Sequence, residues 1–129
     1  MKYLKSYEIF FNKAETDFKS AKILYSSKDE DIDVEVVLFH LQQAIEKYLK
    51  AVLAYKNIHF SKTHDLKMLI DMDKDKIELN DNEIELMLEL NQFAVNGRYN
   101  YIVEIVENID DYFKIVLKIK ENTYNLILI

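Results

Sequence analysis

Four polar residues, His40, Gln43, Lys47 and Lys50, fall on one stripe when positions are laid out at 100° per residue. An imidazole, an amide and two ammonium groups in line suit an anionic ligand such as a nucleotide phosphate or an RNA backbone, because hydrogen bonds assisted by charge are the strong ones. The alternative is structural: Gln43 and Lys47 bond neighbouring helix ends or a partner subunit, and His40 is a half-buried, satisfied histidine. His64 and Asp65 stand at the start of a short apolar segment. An acid there complements the helix dipole, and a side chain can bond open backbone groups. Arg98 is the single arginine of the chain and is flanked by Tyr99 and Tyr101. A cation between aromatic faces can stack on a base or grip a phosphate. Pairing with a nearby acid such as Glu104 is the equal alternative.

Other chemistries find little support. The chain has no cysteine, which removes thiolate nucleophiles, thiolate metal sites and disulfides. Its three histidines show neither an i, i+4 pair nor an HExxH pattern, so no metal site is expected. Ser61, His64 and Asp65 are too close along the chain to form a nucleophile triad from one loop. His59 reads as an exposed turn residue. No cofactor is implied.

Five segments with helical period must position these groups. The first runs from about Tyr7 to Ser26 with Phe10, Phe11, Ala14, Phe18, Ala21 and Leu24–Tyr25 on its apolar stripe. The second runs from Asp33, placed as an N-cap, to about Lys56. The third spans about Thr63 to Met72. The fourth opens at Asn80, where Asn80 and Glu83 have capping-box spacing, and stops at Asn96–Gly97. The fifth spans about Ile102 to Tyr124. Proline is absent and Gly97 is the only glycine. That excludes a turn-rich β-sandwich and glycine-rich phosphate or dinucleotide loops. The 129 residues, half of them hydrophobic, suffice for one domain with its own core. An all-α, up-and-down bundle of four long helices plus one short helix is the expected fold over 1–129.

The second segment carries apolar residues on two sides. Val34, Val37, Leu38, Leu41, Ala44, Ile45, Tyr48, Leu49, Ala51, Val52 and Tyr55 form its core arc, while Val36, Phe39, Leu53 and Ala54 interleave with the polar stripe. A monomer would expose that second set, which predicts a homodimer. The net charge of −6 argues against a general nucleic-acid coat. The charge is unevenly spread: residues 1–28 hold six lysines against three acids, whereas 68–113 hold twelve acids against three bases. No targeting segment or membrane span is visible, so a cytoplasmic protein is expected.

The run Phe39-His40-Leu41-Gln42-Gln43-Ala44-Ile45-Glu46-Lys47-Tyr48-Leu49-Lys50-Ala51 resembles the signature second helix of the HEPN domain family. Thr63-His64-Asp65-Leu66 is similar to the family's short HDL element, and Gly97-Arg98-Tyr99 sits where the family commonly has Arg-Tyr-Pro. The resemblance implies a cytoplasmic helical bundle that dimerises, often encoded beside a minimal nucleotidyltransferase. Many HEPN proteins are metal-independent ribonucleases using an arginine followed, four to six residues on, by a histidine. Here Tyr-Asn-Tyr-Ile-Val-Glu follows Arg98, Asn100 stands in place of the family's proline, and no histidine occurs downstream. The resemblance therefore implies the non-ribonuclease branch. The role proposed for this branch is nucleotide binding or partnering the transferase, and for this chain it implies a dimeric nucleotide- or RNA-binding module acting with that transferase in a toxin–antitoxin-type pair. Its candidate ligand residues are His40, Gln43, Lys47, Lys50, His64, Asp65, Arg98 and Tyr99, with no catalytic residue. Two alternatives stay open: a ribonuclease in which Arg98 is assisted by His40 or His64, and a plain interaction protein without ligand.

Overall fold

The computed structural model describes residues 4–27, 34–73, 78–96 and 109–127. Among these, every regular element is helical: α1 (Ser6–Ser26), α2 (Val34–Tyr55), α3 (Leu66–Asp71), α4 (Asp81–Asn96) and α5 (Ile109–Ile127). Four are long and one is short, as the periodicity requires. The helices pack as a bundle whose hub is α2, which touches each of the other four; its longest contact is with α1.

Small residues explain that closeness. Ala14 and Ala21 of α1 and Ala44 and Ala51 of α2 are fully buried, and side chains without bulk let two helix axes approach. Phe18, Leu38, Leu41, Ile45 and Tyr48 fill the layer around them. Leu66 and Leu69 of α3, Met87 and Leu90 of α4, and Tyr112, Val116 and Ile119 of α5 complete one continuous core. Burying a side chain of this size contributes about 1.5–3 kcal/mol, so the core outweighs any single polar contact described below.

The helix ends follow local rules. The Asn80 carboxamide accepts the Glu83 N–H at 2.8 Å and the Glu83 carboxylate accepts the Asn80 N–H at 2.9 Å, a reciprocal capping box at the start of α4. At the end of α2, Asn57 adopts φ 57°. The Ile58 N–H then donates to the Leu53 carbonyl and the Asn57 N–H to the Ala54 carbonyl, which closes a Schellman motif with asparagine in the left-handed position.

Several expectations are corrected. α3 begins at Leu66 and not near Thr63, because Asp65 caps it by accepting from the Lys67 and Met68 N–H groups. α5 continues past Tyr124 to Ile127, which is buried. Leu53, expected on the outer side of α2, is 1% exposed, whereas Tyr55, expected in the core, is 41% exposed. With α3 and α4 also packed on α2, its covered face widens beyond the arc that one neighbour would bury. Asp33, Gly97 and positions 102–108 lie outside the described residues.

Candidate functional site

The polar stripe of α2 meets two carboxylates that stand on either side of it. Asp17 of α1 lies among the alanines and Phe18 on the buried side of that helix, and its side chain is 12% exposed. Its Oδ1 is 2.9 Å from His40 Nδ1, and Lys47 Nζ donates to its Oδ2. His40 and Lys47, two turns apart, are thus turned toward α1 and pinned by one acid.

Lys50 and His64 meet the second carboxylate. Glu46 of α2 is 4% exposed; its Oε2 accepts from Lys50 Nζ at 3.2 Å and its Oε1 lies 2.9 Å from His64 Nδ1. The His64 side chain is 75% exposed, so its other nitrogen faces solvent. Gln42, fully buried, donates to the His64 carbonyl and accepts from the Gln43 amide at 2.7 Å. Asn91 of α4 accepts the Leu66 N–H. Backbone and ring of His64 are therefore held from α2, and the turn that carries it from α4.

The eight sequence candidates separate accordingly. His40 and Lys47 come together through Asp17; Lys50 and His64 come together through Glu46; Gln43 joins the second group through Gln42. Asp65 spends its carboxylate on the α3 cap, the structural role. His59 is exposed. Arg98 and Tyr99 lie outside the described residues.

Electrostatically, Lys47 and Lys50 each face a buried anion, so their positive charge is largely spent inside the protein. Sequence reasoning missed Asp17, Glu46, Gln42 and Asn91. The signal for Asp17 was available: it lies three residues after Ala14 and four before Ala21, on an otherwise apolar stripe. A third polar contact, Tyr48 O–H to Glu15 at 2.6 Å, links α2 to α1. Burial first, and then the bond to Glu15, raise the Tyr48 phenol above its ordinary range. No group of three or more acids and histidines poised to hold a metal occurs among the described residues.

The family model for the HEPN domain matches residues 7–126, nearly the whole chain. The chain belongs to the HEPN domain family. No curated protein and no solved structure matches it. In this HEPN chain the segment Phe39–Ala51 is the middle of the central helix α2, and Thr63–Leu66 is the turn and cap that lead into α3. The third block, Gly97–Tyr99, lies outside the described residues. Among those described, no helix is long and apolar enough to cross a membrane.

Proposed function

We propose that this HEPN chain is a cytoplasmic, homodimeric binding module that takes a nucleotide or RNA. It acts with a minimal nucleotidyltransferase in a two-component pair of toxin–antitoxin type. One observation carries the pairing: Val36 and Phe39 are 42% and 50% exposed on the helix that is otherwise the most buried of the bundle. Adjacent apolar side chains left open on a hub helix favour a protein contact. The transferase partner follows from the family resemblance.

Light scattering at micromolar concentration tests the dimer: Phe39→Lys with Val36→Lys should give a monomer from a wild-type dimer, and a clean wild-type monomer removes the claim. Co-purification from the native host, with mass spectrometry of protein and bound nucleotide, tests partner and ligand together. Recovery of the chain with neither sinks both.

A metal-independent ribonuclease is the second reading, favoured by His64. Its ring is anchored at Nδ1 by a buried carboxylate and open at the other nitrogen, an arrangement suited to general acid–base work. It requires Arg98 as the phosphate-orienting group. RNA cleavage lost in both His64→Ala and Arg98→Ala would establish it; metal-free protein that leaves tRNA and mRNA intact would exclude it.

A further inference from the structure

The lysine excess of the first segment lies unused by the sites above. Lys19 and Lys22 of α1, with Lys120 of α5 opposite, line an open cleft of about 280 Å³ together with Glu15, Thr16 and Phe18. The Lys22 ammonium lies 4.0 Å from the centroid of the Phe18 ring, and the Lys120 ammonium lies 5.8 Å from the same centroid. Two like charges are thus gathered on one aromatic ring.

Glu15 is the one carboxylate among the described residues that line the cleft. It contacts Lys120 at 3.3 Å and is shared with the Tyr48 hydroxyl. Lys19 is exposed and has no hydrogen bond or ion pair with another described residue. Three ammonium groups therefore face one shared carboxylate, the reverse of the α2 stripe, where each lysine meets its own buried acid.

We infer that the α1–α5 cleft binds the condensed phosphate chain of a nucleotide, with Lys19, Lys22 and Lys120 as its cationic contacts. An anion between the lysines gains charge-assisted hydrogen bonds. Size limits how much of a ligand the cleft can enclose. Pockets that enclose a whole drug-sized molecule run to about 300–1,000 Å³. This cleft sits just below that range and is open, so it takes the phosphates and leaves sugar and base in solvent. Phe18 is 2% exposed beneath the lysines and offers no face for a base to stack on. The site rests on the ligand half of the function proposed above and is independent of the dimer and of the transferase.

Isothermal titration calorimetry of the full chain at low salt provides the test, with inorganic tripolyphosphate and adenosine triphosphate as probes. Both should bind, with affinities within about threefold of each other if the phosphates carry the contact. Lys19→Gln should weaken both about tenfold at an unchanged melting temperature, since Lys19 is exposed and has no hydrogen bond or ion pair with another described residue. Adding Lys120→Gln should remove binding at millimolar ligand, and the exposed Lys114→Gln should change nothing. Tripolyphosphate binding that survives the double variant overturns the inference. So does nucleotide binding lost only in Lys47→Ala or Lys50→Ala, which leaves the ligand reading standing and moves the site to α2. Binding of a single-stranded RNA oligonucleotide with no response to tripolyphosphate also overturns it. If none of the three probes binds wild-type protein, the ligand reading falls with it.

Discussion

Removing Glu46 should be among the most damaging single changes to a polar residue of this protein. The Lys50 side chain is 11% exposed, and Glu46 is its only counter-ion among the described residues. In Glu46→Ala the ammonium is left desolvated and unpaired, and the His64 ring loses its anchor. Breaking a buried ion pair from one side costs about 3–5 kcal/mol. The long Lys50 stem can carry its charge part of the way to water, which places the expected loss at the low end, about 3 kcal/mol. For a domain of this size that corresponds to a fall in melting temperature of roughly 10–15 °C. Urea denaturation at pH 7 should show a lower midpoint with an unchanged slope. Glu46→Gln keeps the shape and one acceptor, so its cost should be about 1–2 kcal/mol. Glu46→Ala combined with Lys50→Met should recover most of the loss, because the pair as a whole stabilises little against an apolar replacement. A single Glu46→Ala variant within about 0.5 kcal/mol of wild type would refute the reasoning. So would a double variant no better than the single one.

Three further outcomes are expected. Burial and the Glu15 bond raise the Tyr48 phenol, so its neutral form is held in the folded state. Its contribution is complete below the unfolded phenol value of about 10 and is lost as pH rises beyond it. Unfolding midpoints should fall above that pH in wild type and less steeply in Tyr48→Phe; equal slopes contradict the assignment. Glu83 is lowered, chiefly by the hydrogen bond from Lys118 and then by the Asn80 N–H, so its contribution is present above the ordinary carboxylate value and lost as pH falls through the lowered one. Between pH 6 and pH 2.5 the melting temperature of Glu83→Gln should therefore decline less than that of wild type, and a parallel decline would count against it. The Thr123 hydroxyl is buried with no partner among the described residues, so Thr123→Val should be neutral or stabilising by up to about 1 kcal/mol. A comparable loss measured by urea denaturation would mean that the hydroxyl is bonded.

Local signals were legible in the sequence because they depend on a few neighbours along the chain. Apolar spacing of three and four placed α1, α2 and α4 within a residue or two, and the Asn80–Glu83 spacing located the start of α4. The all-α fold followed from the absence of proline and the scarcity of glycine. The run Phe39–Ala51 carried enough pattern to suggest the HEPN family, which the family model supports over residues 7–126. The partnership of charges was different. A helical wheel places His40, Gln43, Lys47 and Lys50 on one stripe, but it cannot say what stands opposite them.

Asp17 is 23 residues from His40 and 30 from Lys47, and packing of α1 on α2 is what brings it to both. Glu46 and His64 are 18 residues apart and meet only because the turn before α3 is tied to α2 through Gln42 and to α4 through Asn91. A stripe that the sequence presents as cationic thus becomes internally compensated. The lysines of α1, unremarkable by spacing, are joined by Lys120 from α5 at one cleft whose lining, among the described residues, holds a single carboxylate. Local chemistry determined which residues are helical and where the helices start. Tertiary packing decided which charges are paired inside the protein and which stay at the surface, because that balance depends on distances between groups far apart in sequence.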